Sequence, residues 1–193
     1  MPNKNLIIIN NEKISKEKNV FYCDNIDIKS ISEDLNKKFD VSLIARSSKS
    51  KRSHNINLDK IKISFSIFLF LINIFKTLKK KDVIYLIISI TPYTFFSYLL
   101  LFFFRKKVFV YLRSNGYEEY KAIFGFLGSL IYYLMFKIVT FRSSVISCQE
   151  SLFNKDKSNM VFPSELNSLW FENTHKPLLD KPRLLYVGRI KVE

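Results

Sequence analysis

Residues 83–104 constrain the fold more than any other stretch of this chain, because they contain no charged side chain. As one helix they would be long enough to cross a lipid bilayer, which takes roughly 20 apolar residues. Thr91 and Pro92 interrupt the stretch, however, and the residue before a proline avoids the helical region of backbone conformation. β-Branched residues dominate the first half, whereas Phe and Leu dominate the second. The pattern therefore predicts a buried strand, a loop and a helix.

Basic residues flank this stretch on both sides, at 79–81 and at 105–107. The one-sided excess of positive charge that orients a spanning helix is therefore absent. The apolar stretches 65–75 and 122–136 are shorter than a span. We expect peripheral binding to anionic lipid at the inner, cytoplasmic face of the cytoplasmic membrane, because aromatic helices bordered by lysines dock there without crossing. The alternative is an integral membrane protein with about three apolar segments and no catalytic activity.

Short runs of strand type alternate with segments of helical periodicity along the chain. The strand-like runs stand at 6–9, 41–45, 83–88, 108–112, 145–147 and 160–162, and the helical segments at 26–39, 59–79, 93–104 and 122–140. This alternation is typical of an α/β fold, with a parallel sheet covered by helices on both faces. The Ser-, Lys- and Asn-rich residues 47–57 are expected to form a solvated loop.

Charge and cysteine usage narrow the classes of partner. The formal net charge of +14 points to a polyanionic neighbour such as lipid, phosphorylated substrate or nucleic acid. Because the lysines are dispersed and the aromatic residues lie in continuous apolar runs, a nucleic-acid-binding module is disfavoured. Cys23 and Cys148 match no metal-ligand or redox spacing, so neither a metal nor a cofactor is expected. The apolar run at 6–9 is too short for a signal peptide, which favours a cytoplasmic location.

Four segments carry a resemblance to a known enzyme family. Residues 183–193, RLLYVGRIKVE, resemble the motif that opens the donor-binding domain of the large group 1 family of glycosyl transferases, which have a GT-B fold and use nucleotide sugars with retention of configuration. Residues 147–152 look like the strand-end Ser and helix of that family, and residues 161–166 stand where a Pro-Asn-Gly turn is common. Residues 112–120 are similar to an Arg-x-x-Gly-aromatic-Glu segment of members that build surface polysaccharides.

The resemblance implies a Rossmann-like acceptor-side domain at 1–180, the N-terminal half of a GT-B fold, and the first strand of an incomplete donor-binding domain at 181–193. It implies transfer of a sugar from a nucleotide sugar to a lipid-linked or polysaccharide acceptor in cell-surface glycan biosynthesis. Gly188 and Arg189 would bind the donor, Arg189 through bidentate contact with its diphosphate. The family's catalytic glutamates belong to the second domain, so the chain alone is expected to be inactive.

Loops at the carboxyl ends of parallel strands meet at one edge of the sheet, where ligands bind. The loops at 89–92, 113–119 and 147–150 are expected there. Since they would face the cleft between the two domains, the candidate acceptor contacts are Thr91, Arg113, Asn115, Gly116 and Glu118. A solvated loop is the alternative for residues 113–118, and a helix N-cap pair is favoured for Ser147 and Glu150. The chain departs from the family after its first strand, where Asn10 and Asn11 replace a Gly-Gly pair.

Overall fold

Residues 4–80, 82–148 and 158–161 are described in the computed structural model of the chain. They form nine strands and four helices within the unit Met1–Val161. In chain order these elements are β1 (Asn5–Glu17), β2 (Val20–Cys23), α1 (Ile26–Asn36), β3 (Asp40–Ser47), β4 (His54–Ile56), β5 (Ile61–Ser64), α2 (Ile67–Phe75), β6 (Val83–Ile88), α3 (Pro92–Phe103), β7 (Val108–Leu112), α4 (Gly116–Arg142), β8 (Ser144–Ser147) and β9 (Ser158–Met160). The predicted domain boundary near residue 180 lies outside the described residues and stays a prediction.

Seven strands run parallel in the order β5-β3-β1-β6-β7-β8-β9. Beyond an irregularity between Ile9 and Lys13, β1 continues and pairs antiparallel with β2, which in turn pairs with β4. The α/β class is as predicted, but the sheet is mixed and mostly parallel rather than wholly parallel. The antiparallel part arises because Lys18 and Asn19 both adopt positive φ angles, which closes a tight hairpin between β1 and β2.

The sheet separates two apolar clusters. Successive strand side chains point to opposite faces, so Leu6 and Ile8 join the cluster under α1, whereas Ile7 and Ile9 join the cluster under α2, α3 and α4. All four of these side chains are buried. Helices therefore cover both faces of the sheet, as the alternating pattern predicted.

The uncharged stretch at 83–104 does not form one helix. Its first part is β6, and its second part is α3, which begins with Pro92 in the first turn. Thr91 caps this helix, since its side chain accepts from the backbone of Thr94 while the Thr94 hydroxyl accepts from the backbone N–H of Thr91 at 2.8 Å. The predicted strand, loop and helix are confirmed.

The helix predicted at 59–79 is wrong in its first part, where Ile61–Ser64 forms β5 and only Ile67–Phe75 is helical. Residues 61–64 pair in parallel with β3, so a long-range partner overrides the local pattern. For the same reason the predicted loop at 47–57 contains β4, which pairs with β2.

Helix α4 reverses direction at Gly125, which has φ 65° and ψ −152°. Residues 116–124 fold back on residues 126–142, so the ring of Tyr117 lies 4.8 Å from that of Tyr132 and 5.6 Å from that of Phe136. By length and composition, α4 is the one helix in the described ranges that could span a membrane. The break matters because its longer arm falls short of the roughly 20 residues that a span requires.

Gly125→Ala should destabilise the protein through its backbone alone. Nothing lies within 4 Å of the added Cβ, so no clash contributes. A side chain in this glycine-only region of φ and ψ costs about 1–3 kcal/mol, which chemical denaturation would measure as a loss of unfolding free energy. The control is Phe126→Ala at a side chain that is 78% exposed. It should change stability by less than about 0.5 kcal/mol, and equal losses in the two variants would contradict the assignment.

Candidate functional site

The order of the parallel strands reverses between β1 and β6. From β1 the chain proceeds outwards to β3 and β5, and then returns to β6 on the other side of β1. Open α/β sheets form a crevice at such a point, outside the carboxyl ends of the strands. Five charged side chains gather at this edge, namely Glu12, Asp24, Asp27, Arg52 and Arg113. Arg46, near the end of β3, instead contacts Asn11 and Tyr93.

Arg113 and Asp27 form an ion pair between two of the loops. Arg113 follows β7, and its Nη2 atom contacts Oδ2 of Asp27, in the first turn of α1. Asn25 caps this helix and accepts a hydrogen bond from the backbone N–H of Asp27 at 3.1 Å. The two side chains are only 27% and 23% exposed, so each charge depends on the other for compensation.

Asp24 and Arg52 form a second ion pair nearby. The backbone N–H and the hydroxyl of Ser53 also donate to Asp24, at 3.0 and 3.1 Å. The hydrogen bond from Arg52 is the main reason why the pKa of Asp24 lies below its ordinary value. These contacts tie the loop after β3 to the end of β2.

Glu12 lies between these ion pairs, in the irregular segment of β1. Burial raises the pKa of its carboxyl group, and the charge of Asp24 adds to this effect. The backbone N–H of Asp24 and the charges of Arg52 and Arg113 act in the opposite direction. A half-buried carboxyl group of this kind can accept hydrogen bonds from hydroxyl groups or exchange a proton with them.

Arg46 supplies a third guanidinium group, near the end of β3. Its Cζ atom lies 4.6 Å from the ring centroid of Tyr93, and its Nη1 atom donates to Oδ1 of Asn11 at 3.4 Å. Stacking on the ring orients the planar guanidinium group. The N–H groups point outwards in the plane of the guanidinium group, where they can donate hydrogen bonds. Arg46 and Arg113 thus offer this edge the residue type that pairs best with phosphate and carboxylate groups.

The structure places three of the predicted acceptor contacts in helix caps. Thr91 caps α3, and Asn115 caps α4, where it accepts from the backbone N–H of Tyr117 at 3.2 Å. The amide of Asn115 also donates to Glu118 at 2.9 Å. Each of these side chains therefore has a structural role at the start of a helix.

Thr91, Arg113 and Gly116 nevertheless come together, because they line one cavity of about 50 Å³. A side chain at Gly116 would bring its Cβ within 2.1 Å of the Tyr132 ring, so only glycine fits at this wall. The other polar residues of the lining are Ser89, Ser114, Glu119, Tyr120 and Tyr132. The predicted loops at 89–92 and 113–119 therefore do meet.

Other predicted residues do not enter this cavity. Ser147 is buried at the end of β8, and the Cys148 thiol beside it donates to the Tyr111 hydroxyl at 3.0 Å. Glu150, Gly188 and Arg189 lie outside the described residues. Within the described ranges there is no group of three or more His, Cys, Asp or Glu side chains that could hold a metal ion.

Sequence reasoning missed the charges that form most of this site. It singled out Asn10 and Asn11 only as replacements for a Gly-Gly pair, and it passed over Glu12, Asp27 and Arg46. The available signal was that Glu12 and Arg46 follow the strand-like runs predicted at 6–9 and 41–45, and that Asp27 lies at the start of the helix predicted at 26–39. The pairing itself was not visible, because Asp27 and Arg113 are far apart along the chain.

Comparisons with protein-family models, with curated proteins and with solved structures found no match for this chain. The functional interpretation therefore depends on the chain's own residues and on the geometry of the carboxyl edge.

Glu12→Gln should make stability less dependent on pH. Because burial raises the folded-state pKa of Glu12 above 4.5, the stability associated with its protonated form is lost as pH rises from 4.5 through the folded-state pKa. The amide cannot ionise, so over that pH window the unfolding free energy of the variant should fall less than that of the wild type. Denaturant titration at several pH values would measure this difference. Glu17→Gln on the same strand is the control, and an identical gain there would contradict the role of Glu12.

Proposed function

We propose that this chain is the acceptor-side half of a glycosyltransferase with a GT-B fold. It would act with a nucleotide-sugar donor and a lipid-linked or polysaccharide acceptor in cell-surface glycan biosynthesis, without a metal. The observation that carries this proposal is the gathering of Glu12, Asp27, Arg52 and Arg113 at the carboxyl edge of the sheet. Guanidinium groups suit phosphates, and carboxylates accept hydrogen bonds from sugar hydroxyls.

The order of the strands supports a Rossmann-like domain as the finer description of the fold. Starting at β1, the sheet grows first to one side and then to the other, as a doubly wound sheet does. A fold of this kind serves many reactions, however, so it supports the proposal only together with the residues at its edge.

In the proposed reaction Arg113 contacts the acceptor. Its guanidinium group is held by one carboxylate, that of Asp27, and has further N–H donors that can reach a phosphate or a hydroxyl group in the crevice. Glu12 would accept a hydrogen bond from an acceptor hydroxyl. Donor binding by Gly188 and Arg189 stays a prediction, as does the supply of the catalytic glutamates by a second domain.

Two substitutions in one ion pair separate substrate contact from structural support. Arg113→Gln removes the proposed contact, so kcat/KM should fall at least about tenfold, the lower end of what a charged hydrogen bond contributes. Asp27→Asn keeps the guanidinium group and an oxygen that can still accept its hydrogen bond, so kcat/KM should change by less than about threefold. The assay follows labelled sugar from a panel of nucleotide sugars into a lipid extract, using the longest protein that the gene encodes.

Equal losses in these two variants would show that the pair is structural rather than a substrate contact. Circular dichroism of both variants checks that each remains folded. Failure of the wild type to transfer sugar from every nucleotide sugar in the panel would contradict the proposed reaction itself.

The outer surface of α2, α3 and α4 supports a membrane location for this activity. We name it the aromatic surface, with its most exposed members Phe65, Phe68, Phe103, Phe124, Phe126 and Phe141. Scattered apolar residues on a surface are normal, but an accumulation of this kind marks an interaction site. Basic residues border it at 79–80, 105–107, 137 and 142. We infer peripheral docking on the anionic inner face of the cytoplasmic membrane, where lipid-linked acceptors are found.

Phe126→Asp should weaken docking if the aromatic surface faces lipid. Burying a phenylalanine contributes roughly 1.5–3 kcal/mol, so binding to phosphatidylcholine vesicles that contain phosphatidylglycerol should fall at least about tenfold in a flotation assay. The matched control is Ile26→Asp, at a side chain 48% exposed on α1 and therefore on the other face of the sheet. Equal loss in the control, or no binding by the wild type, would contradict docking through this surface.

Alkaline carbonate extraction of cell membranes tests the alternative of an integral membrane protein. A docked protein should be released, whereas a spanning protein should stay in the pellet.

A further inference from the structure

A basic pocket of about 200 Å³ lies at the amino edge of the sheet, where α3 and α4 end and β7 begins. This is the edge opposite the proposed acceptor site, because the parallel strands β7 and β8 begin here. Its polar lining consists of Arg105, Lys106, Lys107, Arg142 and the hydroxyl-bearing Tyr98. No carboxylate is among the lining residues.

The positive charge of this pocket is not compensated by the part of the chain that the structure describes. Ion pairs in that part involve other basic residues, and none of them includes a residue of the pocket. The guanidinium group of Arg142 is held 5.4 Å from the ring of Phe102, at the wall of the pocket. The ammonium group of Lys107 lies 5.2 Å from the ring of Phe109. An anion in the pocket would reduce the repulsion among the neighbouring positive charges.

Tyr98 adds a buried hydroxyl group to the same wall. Its side chain is 2% exposed, and the hydroxyl oxygen has no hydrogen-bond partner among the described residues. Burial raises the pKa of Tyr98, and the backbone N–H and the positive charge of Arg142 oppose that rise. Buried hydroxyl groups are normally paired, so this hydroxyl group, just behind the wall of the pocket, still lacks an acceptor.

Arg105 has an unfavourable backbone conformation at this place. The backbone N–H groups of Arg105 and Lys106 donate to the carbonyls of Phe102 and Leu101, both at 3.0 Å, and so close the end of α3. In this type of helix end the residue at position 105 adopts a left-handed conformation, here with φ 49°, which glycine adopts most easily. The chain instead has an arginine there, whose charge belongs to the pocket.

We propose that this pocket binds the phosphate of an anionic phospholipid headgroup. Phe103 and Phe141, which are 77% and 71% exposed, adjoin two of the pocket residues in sequence and belong to the aromatic surface. A phosphate in the pocket therefore fits a lipid whose acyl chains lie against that surface. The inference rests on the membrane docking proposed above and gives that docking a specific headgroup site.

The first test compares two double variants that each remove two positive charges. Lys107→Gln with Arg142→Gln alters the pocket, whereas Lys38→Gln with Lys49→Gln alters exposed lysines that follow α1 and β3. A basic residue close to an anionic membrane contributes about fivefold to binding, so the pocket variant should bind phosphatidylglycerol vesicles about thirtyfold more weakly. The control should stay within about twofold, since charges beyond the Debye length are screened.

The second test uses Arg105→Gly. Glycine relieves the left-handed backbone and removes one charge, so Tm should rise while the affinity for phosphatidylglycerol vesicles falls about fivefold. A rise in Tm with unchanged affinity would overturn the role of Arg105 in the pocket.

The outcomes separate this inference from the docking on which it rests. Equal loss in the two double variants would overturn the pocket and leave docking through diffuse charge. A soluble probe, glycerol phosphate, should shift NMR signals of Tyr98 and Arg142 in the wild type and not in the pocket variant. Such shifts without any vesicle binding would overturn the lipid as the source of the phosphate, together with the docking itself.

Discussion

The structure depends on the pairing of β1 with strands on both sides. Residues 5–9 pair in parallel with β3 and, in the same register, with β6. Because Leu6, Ile7, Ile8 and Ile9 are buried on alternating faces, this one strand contributes to the core under α1 and to the core under the other three helices. Its central place also fixes where the order of the sheet reverses, and hence where the crevice lies.

The irregular segment of β1 creates the chemistry at that crevice. The strand pairs with β6 as far as Asn10, pairs again with β3 at Lys13 and Ile14, and then pairs with β2 from Ser15 onwards. Glu12 lies in this irregular segment and is brought close to Asp24, Arg52 and Arg113. Burial of its carboxyl group is partly offset by the two arginines, so the same contacts that stabilise the bend provide a half-buried acid among guanidinium groups.

The two faces of the sheet differ in a way that links the proposed reaction to a membrane. Most exposed large apolar side chains belong to α2, α3 and α4, whereas α1 exposes only Ile26 among its large apolar residues. Sugar hydroxyls and phosphates suit the carboxyl edge, and a bilayer suits the aromatic surface. A lipid-linked acceptor has a polar sugar or phosphate part and an apolar lipid part. The two surfaces therefore both support the proposed function.

Local sequence determined the elements whose signals lie within a few residues. The β-branched run at 83–88, the strand at 108–112 and the interruption at Thr91 and Pro92 all formed as their residues predict. Tertiary structure decided β5, the antiparallel extension of β1, and the ion pair between Asp27 and Arg113. The physical reason is that a strand partner or an ion-pair partner stabilises a segment from a distant part of the chain, and no local periodicity records which partner that is.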